Sequence, residues 1–333
     1  MTEPARLHPF DLPASIAEEI AGLQGPIAVL GAGGFIGAAM LRTLLSYRKD
    51  CYGVTQQVFV PWRLVGLPAA NLVVCDIRDP DLVARMFARF NFKTIFFFAA
   101  YGAYARQSDS RQIYDTNVLG LLNVLEVAER GGLSAFVHAG SSSEYGLNCA
   151  GPAEDAPLEP NSHYSVSKIA AANLLRFKGT VGGLPTINLR LYSVYGPYEE
   201  PERLIPRLVG NALNGTYPPL VDPEISRDFV FITDVVEACV AAAARGVKAA
   251  PGRSVNICSG KKTTIGEVVQ LAKQSFQIPG EPAWGQMQNR AWDLRDWYGN
   301  PAYAEKVLGW KSHTDLRSGL LQTASWVRGP GKE

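Results

Sequence analysis

The chain has 333 residues, enough for one large α/β unit or two domains of ordinary size, and with 47% hydrophobic and 19% charged residues it reads as a folded polypeptide. Lys and Arg number 32 against 31 Asp and Glu, so the formal charge is +1, without the basic surplus that neutralising several nucleic-acid phosphates requires, and no nucleic-acid partner is expected. The longest apolar stretch, Thr94 to Ala105, is shorter than the ~18 residues of a membrane span, and the N-terminus carries charges where a signal peptide has its apolar run, so a cytoplasmic protein without membrane association is expected.

Residues 1–23 contain an amphipathic patch (IAEEIAGL) ahead of the first strand, which predicts an N-terminal helical extension packed on the main body. From Pro26 onward, short apolar runs alternate with helical periods: IAVLGAGG, FIGAAMLRTLLSY, CYGVTQ, NLVVCDI, DLVARMFARF, TIFFFAA, IYDTNVLGLLNVLEVAERGG and AFVHAGSSS. Continuous apolar strands separated by amphipathic helices imply a parallel sheet covered on both faces, joined by right-handed crossovers. A further helix (SVSKIAAANLLRFKG), the run TINLRLYSV, the segment FVFITDVVEACVAAAARG and the strand SVNICSG extend the pattern well past residue 180. The irregular, Pro- and aromatic-rich stretches predict a smaller, discontinuous cap formed by 197–227 plus 261–328, over a sheet domain formed by 24–196 plus 228–260.

Gly31-Ala32-Gly33-Gly34-Phe35-Ile36-Gly37 follows an apolar strand and opens an apolar-periodic helix, which is the context a dinucleotide site demands. Glycines there permit positive φ and close backbone approach, leaving the helix N-terminal amides to take a pyrophosphate. The second strand ends in Thr55, Gln56 and Gln57 instead of the acid that would hold the ribose hydroxyls of NAD. A neutral end removes repulsion against a 2′-phosphate and tilts the preference toward NADP, with NAD left open; Arg63, further along, is either a counter-charge for that phosphate or a plain surface arginine. Asp76 closes the third strand and is a candidate partner for the adenine, or a loop-start cap. No metal site is expected: the five cysteines show no CxxC spacing, and none of the four histidines is spaced as a helical ligand pair requires.

Tyr164 and Lys168 stand at i and i+4, on one face of a predicted helix, where an adjacent cation favours the phenolate and suits the tyrosine to proton transfer. The fifth strand ends in Gly140-Ser141-Ser142-Ser143, offering hydroxyls beside the same cleft. With GAGGFIG at 31–37, CDIRD at 75–79, FFFAA at 96–100, NVLGLLNVLEVA at 117–128, GSSSEYG at 140–146, YSVSK at 164–168, LRLYSVYGP at 189–197, RLIP at 203–206, RDFVFITDV at 227–235, VNICSG at 255–260 and LGW at 308–310, the chain resembles the extended short-chain dehydrogenase/reductase family, in its nucleotide-sugar epimerase/dehydratase branch, from about Ile27 to Trp326.

The resemblance implies a Rossmann-like doubly wound parallel sheet with a smaller C-terminal substrate-binding domain. It further implies Tyr164 as acid/base on a sugar hydroxyl, Lys168 holding the nicotinamide ribose and lowering the tyrosine pKa, and Ser141, five residues before Gly146, orienting the sugar oxygen, a task Ser142 or Ser143 could share. Gly31, Gly34, Phe35, Ile36, Gly37, Asp76, Ile77, Ala99 and Lys168 would hold NAD or NADP. Arg203, Arg227, Arg290 and Asp293 would join Ser142, Ser143 and Tyr164 around a nucleotide-diphosphate sugar, Arg290 taking the diphosphate and Asp293 a ribose. Homodimerisation is implied through the helices near 113–130 and 162–178, whose apolar content exceeds what covering one sheet face needs.

Two departures bear on the reaction. The branch's 4,6-dehydratases carry a carboxylate pair directly after the catalytic hydroxyl, whereas Ser142 and Ser143 stand here with Glu144 one place too late, so water elimination is not expected. The strand-four motif ends in FFFAA, a change of packing. The leading expectation is therefore an epimerase or reductase that passes a hydride at a sugar carbon, C4 above all. The alternatives are an NADPH-dependent reductase of a 4-keto-6-deoxy nucleotide sugar, and a non-catalytic dinucleotide-binding sensor.

Overall fold

The computed structural model of the chain describes residues 12–104, 106–287 and 293–329. Its first element, α1 (Ala14–Gly22), buries Ile16 and Ile20, four apart and so on one helix face, in the main hydrophobic cluster. Arg48 reaches the end of this helix, donating to Ile20 O at 3.0 Å and to Leu23 O, so a cation sits at the helix's C-terminal carbonyls. The predicted N-terminal helix is thus present over these residues; 1–11 lie outside the described ones.

The chain then runs through β1 (Ile27–Leu30), α2 (Phe35–Tyr47), β2 (Cys51–Thr55), β3 (Leu72–Val74), α3 (Pro80–Phe90), β4 (Thr94–Phe97), α4 (Ser110–Tyr114), α5 (Gly120–Arg130), β5 (Ala135–Ser141), α6 (His163–Thr180) and β6 (Thr186–Leu191). After it come β7 (Ser193–Tyr195), α7 (Leu204–Ala212), β8 (Ser226–Arg227), β9 (Phe229–Phe231), α8 (Ile232–Ala241), α9 (Val247–Ala249), β10 (Ser254–Ile257), β11 (Thr263–Thr264), α10 (Ile265–Phe276), α11 (Ala302–Leu308) and α12 (Leu316–Arg328). Seven strands form one sheet in the order β10-β6-β5-β4-β1-β2-β3, with every neighbouring pair parallel. Strand order reverses between β1 and β4, the crevice in which open α/β sheets bind ligands. Alternation along β1 divides its side chains between two cores, Ile27 and Val29 on one face, Ala28 and Leu30 on the other.

Three local departures from the sequence reading are physical. The run NLVVCDI pairs only over Leu72–Val74, because β3 is the sheet edge and Val74 already stands 56% exposed. The helical period from Ile113 is interrupted by a π-helical turn, Asp115–Leu119, before α5. The start of FVFITDVV forms β9, which pairs with β7 as a separate two-stranded ribbon. Helices α7, α10 and α12 lie off the sheet and bury Leu208, Val209, Val268, Val269 and Leu320 together. Among the described residues no helix is long and apolar enough to cross a membrane.

Candidate active site

The glycine loop joins β1 to α2 at the point where strand order reverses. Gly31 has φ +81°, and a Cβ there would lie 2.5 Å from the backbone nitrogen of Ala99, so the exits of β1 and β4 approach each other as only glycine allows. A Cβ on Gly37 would lie 2.3 Å from Gly31 O, so α2 seats directly on the loop. Gly34 caps α2 with no side-chain hydrogen bond, and the first turn, from Phe35 and Ile36 to Gly37, carries no acid. Amides unpaired by a helix, free of a competing cap and lined by glycine form a cradle that fits a dinucleotide pyrophosphate. Across it, Asp76 is bound by Arg78 at 2.6–3.1 Å, while buried Ile77 offers its carbonyl to Asn123.

Arg63 does not serve a 2′-phosphate, as one reading of the sequence had it. Its side chain is buried, with Nε donating to Tyr198 O at 2.6 Å and Nη2 paired to Glu200 at 2.9 Å. The guanidinium also lies 4.3 Å from the Trp62 ring, so it anchors the 61–65 connection to the segment after β7.

Tyr164 and Lys168 share a face of α6, whose start is fixed by Ser162 capping Ser165 N at 3.1 Å. Ser141, the last residue of β5, stands close enough to the Tyr164 hydroxyl to favour its phenolate. Lys168 is buried; its Nζ donates to Ala139 O at 2.8 Å and lies 5.7 Å from the centre of the Tyr164 ring. The lowered phenol expected beside Lys168 is not what this arrangement gives. Burial pushes Tyr164 up to about 12, with Ser141 and Arg203 pulling the other way, and pulls Lys168 down to about 8, against the charge of Glu144.

Glu144 is fully buried beneath this site. Its carboxylate accepts from Ser141 N at 3.0 Å and pairs with Arg190 at 2.7 Å, closing a capping box with Ser141. Ser142, also buried, accepts from Trp297 Nε1 at 3.1 Å, while Ser143 donates its backbone N–H to Ser141 Oγ. Arg227 donates to Asp293 at 2.5 Å and lies 5.0 Å from the Trp297 ring. Ser142, Trp297, Arg227 and Asp293 therefore form one chain of contacts from β5 outward, in which the two residues predicted to grip a nucleotide also grip each other. Arg203 is more exposed, 3.5 Å from Glu199 and 5.9 Å from the Tyr104 ring, and its charge is felt at both Tyr164 and Arg227. Arg290 lies outside the described residues.

Residues 27–258 match the model of the NAD dependent epimerase/dehydratase family. The chain belongs to that family. The epimerase/dehydratase chain is 30% identical over 313 residues to a UDP-glucose 4-epimerase of Mycolicibacterium smegmatis, covering 90% of this chain and 97% of the relative. It is 28% identical over 331 residues to a dTDP-glucose 4,6-dehydratase of Neisseria meningitidis serogroup B, covering 90% and 92%. Among solved structures it resembles MoeE5 in complex with UDP-glucose and NAD, with a TM-score of 0.77, 28% identity, and coverage of 91% of this chain and 99% of that one. MoeE5 is also solved with UDP-glucuronic acid and NAD.

This epimerase/dehydratase-family enzyme also holds its site together with residues to which the motifs assigned no role. Asn117, inside the π-helical turn, accepts from Tyr101 N at 2.8 Å and donates to Tyr101 O at 2.8 Å and Ser167 Oγ at 2.9 Å. It thereby ties the loop leaving β4 to α6, and in that loop Gly102, at φ +100°, leaves room for the Tyr164 ring, 3.2 Å from where its Cβ would stand. An asparagine directly ahead of the apolar run VLGLL was the available signal. Glu199 is the other: burial pushes its carboxyl up to about 8, against the pull of Arg203 3.5 Å away.

Proposed function

We propose that this enzyme inverts C4 of a UDP-linked hexose, oxidising and re-reducing that carbon with a bound NAD, and so acts as a nucleotide-sugar 4-epimerase. The observation that carries the reading is the end of β5, where Ser141 meets Tyr164 while Ser142 and Ser143 follow and Glu144 is sealed beneath by Arg190. Eliminating water requires an acid and a base at the sugar. The carboxylate nearest in sequence to Ser141 is committed to an ion pair and a backbone amide, which favours epimerisation over 4,6-dehydration.

NAD, when bound, supplies the acceptor of a hydride on the way out and its donor on the way back. Ser141 aligns the C4 oxygen, and Tyr164 Oη takes the hydroxyl proton as the C4–H pair departs and the carbonyl forms; the same proton returns when the opposite face is reduced. A phenol near 12 holds its proton at neutral pH, so acceptance relies on nearby positive charge, which Lys168 supplies below its own value of about 8. Asp293 fixes the planar fork of Arg227, and with Arg203 it would face the diphosphate, with Arg290 a third candidate. Because Arg63 is spent on Tyr198 and Glu200, the neutral end of β2 gains no phosphate partner from it, and the reading is NAD instead of NADP. Leu119, Val166, Phe177 and Val181, 40–74% exposed on or beside α5 and α6, support a homodimer built on those helices.

Proton NMR of mixtures with UDP-glucose or UDP-glucuronic acid tests the function. The C4 epimer should form to equilibrium, and Tyr164→Phe should lower kcat by about a hundredfold or more while NAD binding stays intact. A 4-keto-6-deoxy product, or a Tyr164→Phe rate within a few fold of wild type, contradicts the proposal.

A further inference from the structure

A cavity of about 670 Å³ opens at the β10 edge of the sheet, between α6, the 153–158 segment and α11; of the residues described around the candidate active site, only Arg190, the ion-pair partner of Glu144, also lines it. Its volume lies within the ~300–1,000 Å³ of small-molecule sites. Helix α6 turns Ile169, Ala172, Asn173 and Arg176 toward it, the three- and four-residue spacing of one face.

Four cationic side chains line this space, Arg176, Arg190, Arg253 and Lys306, against the carboxylates of Glu154 and Asp155. Arg176, Arg253 and Lys306 are exposed, and their side chains have no ion-pair partner among the described residues. Arg190 is the informative one, because it is only 4% exposed. Of its five N–H donors, Nε serves Glu144 at 2.7 Å and Nη1 serves Tyr145 Oη at 2.7 Å and Glu154 O at 2.9 Å. Nη2 has no partner among the described residues, although a buried guanidinium gains most when its fork is filled. Glu154 does not fill it: its Oε1 accepts from Asn256 N at 2.8 Å. Around the arginines stand neutral hydrogen-bonding groups, Asn173, Ser254 and Tyr303, suited to hydroxyls.

We propose that this cavity is a second small-molecule site, separate from the nucleotide-sugar cleft, that takes a phosphate monoester on a hydroxylated carrier, the phosphate against the arginines and the carrier against Asn173, Ser254 and Tyr303. A sugar phosphate and a nucleoside monophosphate share that chemistry. Thermal shift and calorimetry with glucose 1-phosphate, UMP and inorganic phosphate, on wild type and on the double variant Arg176→Ala/Arg253→Ala, separate the outcomes. At least one ester should raise Tm saturably, and the double variant should bind it about tenfold more weakly or worse while its response to NAD is unchanged. Tighter binding of glucose 1-phosphate assigns the sugar phosphate as the source, and tighter binding of UMP assigns the nucleotide. Equal affinity for inorganic phosphate and the esters, no saturable response to either ester, or an affinity indifferent to the double substitution overturns the proposal.

Discussion

His138 shows how single side chains in this site are set by what lies above them. It is buried in β5 with Nδ1 2.7 Å from Asn188 Oδ1, and burial first, then the neighbouring Lys168, hold its pKa down to about 3. An unfolded histidine titrates near ~6.5, so between these values the unfolded chain binds the extra proton. The stability that neutral His138 contributes is therefore complete above about 6.5 and is lost as pH falls toward 3. Comparing Tm against pH for wild type and His138→Gln should show the wild type losing ground steadily from pH 7 to pH 4; parallel curves contradict this assignment. The YxxxK spacing and the serine run could be read from sequence because helix periodicity alone puts Tyr164 beside Lys168. The partners of Arg63 could not, since Tyr198 and Glu200 come from 135 and 137 residues away, and no local pattern encodes such a meeting.

The elements of the sheet were legible because each strand of a covered parallel sheet is a nearly continuous apolar run, as in TINLRL, where all six residues of β6 are buried. Their ends were less so: β3 stops after three residues because an edge strand has one partner, a fact of neighbours and not of composition. The π-helical turn at Asp115–Leu119 was invisible for a related reason, since one residue added to a helix leaves its apolar period almost unchanged. That turn carries Asn117, whose three bonds join the β4 exit to α6. Asn117→Leu should cost about 1–3 kcal/mol through the unsatisfied backbone of Tyr101, lowering Tm, and should lower kcat because the loop under the Tyr164 ring is released. A variant with both Tm and kcat at wild-type values contradicts that role.

At the scale of the whole molecule, the proposed mechanism needs a dinucleotide cradle at the β1–β4 crevice, Ser141 on β5 to orient the sugar oxygen and Tyr164 on α6 as acid/base, with Arg203 and the Arg227–Asp293 pair for the diphosphate. The exposed apolar residues of α5 and α6 belong to the same scale, since two copies of those helices meeting face to face would cover them. Sedimentation of the wild type should give a dimer at micromolar concentration, and Phe177→Glu, placing a charge at a residue 55% exposed, should give a monomer; a wild-type monomer removes the proposed interface. In the proposed mechanism C4 loses and regains the same hydrogen on one enzyme. UDP-glucose deuterated at C4, incubated in ordinary water, measures this directly. The C4 epimer should form with its deuterium retained at C4; formation of the epimer with hydrogen from solvent at that position, or a product lacking oxygen at C6, would contradict the 4-epimerase mechanism.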